Sequence, residues 1–234
     1  MHERGALEAG PTRGDRVRRA ALAGYLVFWA ALAVSPADRE TWLLENGLVF
    51  ALAALLLGVR RRFRFSNLST VMIVSFLALH AVGSHYTYSA VPAGRWARDA
   101  LDLSRNHYDR FVHLVFGVLL AYPFREVTLR RVHAHRAWSY VLPCLAVLSF
   151  SSAYEILESW AARWVNPEIG VAFVGAQGDV WDGQKDMSLA LGGAIFAMLC
   201  TARARRVTGH EPWVRWLATT PNEPDASPRG PGEG

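Results

Sequence analysis

Six long apolar stretches, each bounded by charged residues, most constrain how this chain can fold. They lie at residues 20–35, 42–59, 68–86, 108–124, 138–160 and 185–203. The hydrocarbon core of a bilayer needs about 20 mostly apolar residues to be crossed as a helix, so we interpret each stretch as a transmembrane helix. The sequence therefore predicts an all-α membrane protein, a bundle of about six transmembrane helices.

The composition indicates a folded membrane domain. Hydrophobic residues make up 52% of the 234 residues, and together with 19 glycines they exceed the roughly 45–50% apolar content of soluble domains. No glycine-rich phosphate loop follows a strand pattern, which argues against a soluble nucleotide-binding enzyme. The formal net charge of +5 comes from arginines that flank the apolar stretches. We therefore expect membrane lipids as partners and no nucleic acid, while the oligomeric state stays open.

The distribution of cations predicts the orientation of the bundle. The N-terminal tail, the second and fourth connections and the C-terminal tail are rich in arginine, whereas residues 36–41 and 166–183 are nearly free of cations. By the positive-inside rule both termini are cytoplasmic, in the inner membrane. We predict a disordered basic tail at 1–18, a six-helix transmembrane domain at 19–206 and a largely disordered C-terminal tail at 207–234. A cleavable secretory signal that includes the first stretch is the alternative for the N-terminus.

Glycines in two of the stretches favour close helix packing. Gly117 lies in the fourth stretch, and Gly192 and Gly193 lie in the sixth. Small residues allow helix backbones to approach within a membrane, so we expect these positions at a helix crossing.

Ionisable residues interrupt the apolar stretches at one end of the predicted bundle, which we call the acidic rim. Because odd-numbered spans end and even-numbered spans begin on the outer side, all of these groups are expected there, and each is a functional hypothesis within a membrane. Nothing comparable is expected at the inner end, where the charges are arginines in connections. The rim residues are Glu45, His80, His85, Asp109, Arg110, His113, Glu155, Glu158, Asp179, Asp182, Lys185 and Asp186.

The rim carries more acid than its permanent cations can balance. Seven acids face Arg110 and Lys185, and burying each bare carboxylate costs several kcal/mol, so water, protons or a bound cation must compensate. Solvated helix mouths are one explanation, and a divalent metal is the other. Carboxylates with imidazole and no thiol suit Zn, Mn or Fe. The predicted metal ligands are Asp109, His113, Glu155, Asp182 and Asp186.

A metal at the rim would allow hydrolysis of an ester or phosphoester at the level of the lipid headgroups, with Glu158 and Asp179 as catalytic acids or bases. Binding without chemistry is the alternative, as a headgroup or cation receptor or an assembly protein. Transport has less support, because the sequence shows no duplicated halves and no midplane charge in the first or sixth span. The predicted headgroup-binding residues are His80, His85, Tyr86, Tyr88, Arg110 and Lys185.

Four motifs resemble those of the YjdF-type bacterial inner-membrane proteins. They begin at His80, Asn106, Ser152 and Gly178 and read HAVGSHYTY, NHYDRFVH, SAYEILE and GDVWDGQKDM. The resemblance covers roughly residues 19–206 and implies a polytopic helical inner-membrane protein whose activity is unassigned. A more distant resemblance is to VanZ-like membrane proteins, in which an Asp-x-x-x-His precedes a Glu-bearing helix and an Asp-bearing helix. Glu158 stands where that family is expected to have glutamine.

Overall fold

The computed structural model describes residues 13–59, 63–164 and 177–211. Within these residues the chain is helical and contains no strand, which confirms the all-α prediction. A π-helix at Thr128–Val132 continues the fifth helix. The seven α-helices of the described residues are α1 (Arg13–Ala33), α2 (Arg39–Val59), α3 (Asn67–Tyr86), α4 (Pro92–Ala100), α5 (Tyr108–Val127), α6 (Trp138–Trp164) and α7 (Asp182–Thr208).

Six of these helices coincide with the predicted apolar stretches. Four of them, namely α3, α5 with its π-helical extension, α6 and α7, are long and apolar enough to cross a membrane. The helices α1 and α2 are each 21 residues long. Their crossing of the membrane and the cytoplasmic placement of both termini stay predictions.

The helical region extends slightly past the predicted domain boundaries. Helix α1 already begins at Arg13, and α7 continues to Thr208. The predicted tails otherwise fall mainly on residues 1–12 and 212–234, which lie outside the described residues. The short helix α4 was not predicted, because its nine residues include two arginines and an aspartate and it is far too short to span a bilayer.

The end of α3 is shaped by a turn with positive backbone angles. Thr87 and Tyr88 have φ values of 58° and 42°. This turn brings the Tyr88 ring back over Gly83, where an added Cβ would lie 2.5 Å from the tyrosine Cζ. The missing side chain of Gly83 therefore allows Tyr88 to enter the interior. Pro92 then opens α4 at a position where its missing N–H has no helical partner to lose.

Helix α5 lies at the centre of the bundle. It packs against α7 most extensively and also against α3 and α6, while α1 packs on α3. The largest apolar contact between α5, α6 and α7 is built from small residues, including the fully buried Ala121, Val147, Ala190 and Ala194. Residues of this size permit short distances between the helix axes, because little side-chain volume separates the backbones.

Glycines form the closest point of the α5–α7 crossing. A Cβ added to Gly117 would lie 1.9 Å from the carbonyl oxygen of Ala190, and one added to Gly193 would lie 2.3 Å from that of Leu114. The packing prediction is therefore confirmed for Gly117 and Gly193. It is wrong for Gly192, whose added Cβ would meet nothing within 4 Å.

We expect Gly117→Ala to destabilise the protein, because the new methyl group overlaps a backbone atom that cannot move alone. Overpacking of this kind costs about 1–3 kcal/mol. Gly192→Ala is the matched control and should leave stability unchanged or raise it slightly, since alanine favours helix. Thermal unfolding of the two variants in detergent measures the difference. Equal unfolding temperatures for the two variants would contradict the close crossing of α5 and α7.

Candidate functional site

The α5–α7 crossing aligns two helix faces that carry the rim acids. On α5, Asp109 and His113 precede Gly117 at intervals of four residues and therefore share its face. On α7, Asp186 precedes Ala190 by the same interval. Gly117 contacts Ala190 at the crossing. The acids on both helices lie one to two turns from this contact, so the crossing brings them together.

Three of the predicted ligands form one compact group. Asp109, His113 and Asp186 each offer a ligand atom, and these atoms lie within 4.8 Å of one another. The Nε2 atom of His113 is 3.7 Å from Oδ1 of Asp109. A side chain from α6 joins the group, because Oε1 of Glu155 lies 3.3 Å from the same Nε2. The group therefore draws on α5, α6 and α7.

Ser151 orients the imidazole ring of His113. Its hydroxyl lies 3.3 Å from Nδ1, so Nε2 is directed towards the carboxylates. Ser151 is one helical turn before Glu155 on α6, and both side chains therefore face α5. In a metal-binding histidine, one ring nitrogen is usually held by a hydrogen bond, and the other faces the metal.

Two buried oxygens in this group have no hydrogen-bond partner, Oδ1 of Asp186 and Oε1 of Glu155. Asp186 is only 2% exposed. Helix α7 lies close to Glu155, since a Cβ added to Gly183 would be 2.7 Å from its Oε2. A buried carboxylate oxygen without a partner carries the full cost of its lost hydration, so these oxygens mark a position where a cation or a proton is required.

Asp182 belongs to a separate layer of ion pairs. Arg105 donates from Nη1 to Oδ1 at 2.5 Å and from Nη2 to Oδ2 at 3.1 Å. Arg110 also donates to Oδ1 at 3.1 Å. Both carboxylate oxygens are thus held by guanidinium groups, and this pairing argues against the predicted role of Asp182 as a metal ligand.

Asp179 lies in the same layer and is a poor candidate for a catalytic base. Its Oδ2 accepts from Nζ of Lys185 at 2.6 Å and also from Arg110, while Oδ1 accepts from the Trp181 backbone at 3.1 Å. The Lys185 ammonium, the Trp181 N–H and the Arg110 guanidinium hold the pKa of this carboxyl well below its usual range. A carboxylate stabilised in this way has little tendency to take up a proton, which argues against its predicted catalytic role.

Arg105 is a rim residue that the sequence argument missed. It is 6% exposed and lies in the segment before α5, so helical spacing did not relate it to the acids. With Arg105 the rim has three permanent cations against seven acids. Next to it, burial and the positive charges of Arg110 and Arg105 lower the pKa of His107. Nδ1 of His107 lies 3.3 Å from Nη1 of Arg110, which can only donate.

Two of the predicted headgroup-binding residues, His80 and Tyr88, lie in the interior instead. Nδ1 of His80 is 2.6 Å from the Tyr88 hydroxyl, and both side chains are buried. Nδ1 of His85 contacts the carbonyl oxygen of Leu32 at 2.7 Å, and the ring of Tyr86 packs edge-on against His85. The His85 contact joins α3 to α1, and the burial of His80 and Tyr88 argues against direct headgroup binding by these two residues.

Glu45 and Glu158 lie on the α2 side of the rim. Glu45 is buried and accepts from the Tyr154 hydroxyl at 2.7 Å, which ties α2 to α6. Glu158 is 7% exposed and follows Tyr154 by one turn. Both Tyr154 and Glu158 line a cavity of about 190 Å³ with Leu44, Leu157, Trp160, Ala161 and Trp164.

The opposite end of the bundle also contains buried charge, so the expectation that nothing comparable to the acidic rim lies there is wrong. Glu126 is fully buried and accepts from Ser66, Ser69 and Arg130 at 2.5–2.8 Å. Arg125 is fully buried, pairs with Glu211 and lies 4.4 Å from the centre of the Tyr140 ring. These two buried charges each have an opposite-charge partner, which distinguishes them from Asp186.

The fold and the rim describe a multi-pass inner-membrane protein, and the comparisons with known proteins agree. The family described as predicted membrane protein (DUF2238) matches residues 17–207. Inner membrane protein YjdF of Escherichia coli strain K12 is 36% identical over 171 residues, which cover 73% of this chain and 81% of the relative. No solved structure matches. The chain belongs to the DUF2238 family, which confirms the resemblance to YjdF-type proteins.

We expect Arg105→Gln to lower stability strongly, because it removes one partner of a buried ion pair. Loss of such a partner costs roughly 3 kcal/mol or more. Arg98→Gln is the matched control, since the Arg98–Asp99 pair is 40% and 65% exposed and exposed pairs contribute about 0–1 kcal/mol. Thermal unfolding in detergent compares them. If Asp182→Asn fails to restore part of the loss in the double variant, the coupling between the two residues is refuted.

Proposed function

We propose that the acidic rim binds a divalent metal ion and uses it to hydrolyse an ester or phosphoester at the level of the lipid headgroups. The proposed ligands are Asp109, His113 and Asp186, with Glu155 as the fourth. This set replaces Asp182 of the sequence prediction, because the arginines occupy both oxygens of that carboxylate.

The partnerless Oδ1 of Asp186 is the observation that carries the proposal. It is buried on a helix that also holds Lys185, yet the ammonium of that lysine pairs with Asp179 instead. Asp109, His113 and Asp186 each offer one ligand atom, and these three atoms lie within 4.8 Å of one another. A cation at this position would satisfy the carboxylates without displacing any existing hydrogen bond.

The donor set fits a borderline transition metal better than calcium. It combines one imidazole nitrogen with carboxylate oxygens, and no cysteine is present in the group. Zn, Mn and Fe accept such mixtures, whereas calcium takes six to eight oxygens. With Asp109, His113 and Asp186 alone, a tetrahedral zinc would keep its fourth position for water, as hydrolytic sites require. With Glu155 as a fourth ligand, only a metal that takes more than four ligands, such as Mn, would still have room for water.

Hydrolysis would need a base for the water that the metal activates. Glu158 is the proposed base, since it is buried one turn beyond Glu155 on the same helix and Asp179 is held in ion pairs. The water oxygen would bond to the carbonyl carbon or phosphorus, and its proton would pass to the carboxylate. The ester bond would break, and the leaving alkoxide would take up the same proton from Glu158.

A structural metal without catalysis is the second candidate. The observation that favours it is the origin of the ligands on three helices, which lets one ion join α5, α6 and α7. Hydrolysis of a panel of lipid esters and phosphoesters by the purified protein, with and without chelator, separates the two. Turnover that the chelator abolishes supports the enzyme, and metal without turnover supports the structural role.

The metal itself is tested by elemental analysis of the purified full-length chain. We expect roughly one ion per chain, a lower unfolding temperature after chelation, and loss of both effects in Asp186→Asn. Glu155→Gln should lower the metal content as well. The double variant should lose much less stability than the sum of the singles, because ligands of one ion act together.

Asp99→Asn is the matched control, since Asp99 is an exposed acid outside the group. This variant should bind as much metal as the wild-type protein. In the absence of a metal, Asp186→Asn would relieve repulsion among buried carboxylates, so the unfolding temperature would rise. A rise together with no bound metal would refute the proposed site.

The orientation of the rim is tested by reporter fusions. With both termini cytoplasmic, a reporter after Gly234 should be active only in a cytoplasmic format, and one after Ala93 only in an exported format. The measurement is reporter activity in whole cells. The reverse pattern would place the acidic rim on the cytoplasmic side and would exclude a site at the outer headgroups.

A further inference from the structure

The cavity of about 190 Å³ lies between α2 and α6 and combines aromatic rings with one acid. Its walls are Leu44 of α2 and six residues of α6. Helices α2 and α6 do not pack closely against each other, which leaves this space between them. Three of the seven lining residues are aromatic, namely Tyr154, Trp160 and Trp164, and none is cationic. We call this space the α2–α6 cavity.

Glu158 is the charged residue of the cavity lining, and its carboxylate has no partner. The residue is 7% exposed. It forms neither an ion pair nor a hydrogen bond within the part of the chain that the structure describes. A buried carboxylate without a partner carries the cost of its lost hydration, so a cation bound in the cavity would stabilise it.

A second acid adds to the negative charge beside this cavity. Glu45 is buried on α2, next to Leu44, and its Oε2 accepts from the Tyr154 hydroxyl at 2.7 Å. Because the hydroxyl hydrogen of Tyr154 is donated to Glu45, the tyrosine oxygen has only lone pairs left for other groups. The carboxylates and this oxygen therefore favour a positively charged occupant.

The indole rings at the opening suit a cation with an apolar surface. The ring centres of Trp160 and Trp164 lie 6.2 Å apart, and their planes meet at 45°. These residues are 51% and 82% exposed, so the indoles form the opening and the buried Glu158 forms the inner end. The faces of aromatic rings attract cations, and clusters of such rings bind quaternary ammonium groups.

The lining also discriminates among cations. A metal ion needs several oxygen or nitrogen ligands, whereas five of the seven lining residues are leucines, an alanine and tryptophans, which offer no acceptor. A primary ammonium is a compact, strongly hydrated charge whose N–H groups need acceptors. A quaternary ammonium has no N–H, and its methyl groups can contact apolar walls without loss of a hydrogen bond.

We propose that the α2–α6 cavity binds a quaternary ammonium group such as that of choline. The inference goes beyond the proposed function and does not depend on it, because binding needs only the carboxylate of Glu158 and the aromatic walls. The group can belong to a lipid headgroup or to a free compound in solution.

The cavity begins beside the proposed metal ligands, since Glu158 lies one turn beyond Glu155 on α6. A quaternary ammonium has no proton to transfer to Glu158, so its binding is compatible with the proposed role of that carboxylate as a base. With both sites in use, the substrate would be an ester or phosphoester whose headgroup carries the ammonium.

The experiment measures binding to the full-length protein by titration calorimetry, in a maltoside detergent and with a chelator present. The probes are choline, ethanolamine, dihexanoylphosphatidylcholine and the neutral analogue of choline in which a carbon atom replaces the nitrogen. We expect the choline group to bind, ethanolamine to bind about tenfold more weakly, and the neutral analogue not to bind. Phosphatidylcholine that binds at least about tenfold more tightly than choline identifies the lipid as the source, and a smaller difference identifies the free compound.

Two variants assign the binding to the cavity. Glu158→Gln removes the charge at nearly constant shape and should weaken binding about tenfold. Trp160→Leu removes an aromatic face but keeps an apolar wall, and should weaken binding roughly threefold or more. The matched controls are Glu40→Gln and Trp96→Leu, because Glu40 in the first turn of α2 and Trp96 on α4 are exposed and lie outside the cavity. Both controls should bind like the wild type.

Any one of four results would overturn the inference. They are no binding of choline or phosphatidylcholine, equal affinity for choline and either ethanolamine or the neutral analogue, unchanged binding by a folded cavity variant, and an equal loss in its control. The comparison of probes on the wild-type protein holds even where a variant does not fold. The chelator keeps the test separate from that of the proposed function. Binding of choline by a protein that is purified without metal refutes only the metal site, and a metal-loaded protein that binds no probe refutes only this inference.

Discussion

The backbone contact between α5 and α7 determines the geometry on which the rest of the structure depends. Gly117 and Gly193 allow the two helices to touch, and the acids one and two turns away are then forced into one small volume. A larger residue at either glycine would separate the ligand atoms of the two helices. Close packing in the membrane and charge clustering at its surface are thus consequences of the same crossing.

Charge at the rim is separated into two adjoining layers. In one layer, arginine and lysine side chains pair with the carboxylates of Asp179 and Asp182. The other layer gathers His113 with Asp109, Glu155 and Asp186 and contains no permanent cation among the described residues. The arrangement therefore places a layer of ion pairs directly beside a cluster of acids that has no such partners.

The helices and the polar end of the bundle could be predicted from the sequence, because apolar length and helical spacing are local properties. The pairing of particular charges could not. Asp182 and Asp186 are one turn apart and look alike in sequence, yet only Asp182 meets Arg105, which approaches from a segment outside any helix. The burial of Glu126 was also missed, since its partners Ser66 and Ser69 are distant in sequence.

The order of the ion-pair partners along the chain has a consequence for biosynthesis. Arg105 and Arg110 are made before α6, whereas Asp179 and Asp182 follow it and lead into α7. The two arginines therefore enter the membrane surface before their acids have been translated, and the same is true of Arg125, whose partner Glu211 follows α7. The last helix and the residues next to it supply these acids at both ends of α5, so a chain that stops after α6 has Arg105, Arg110 and Arg125 but none of Asp179, Asp182 and Glu211.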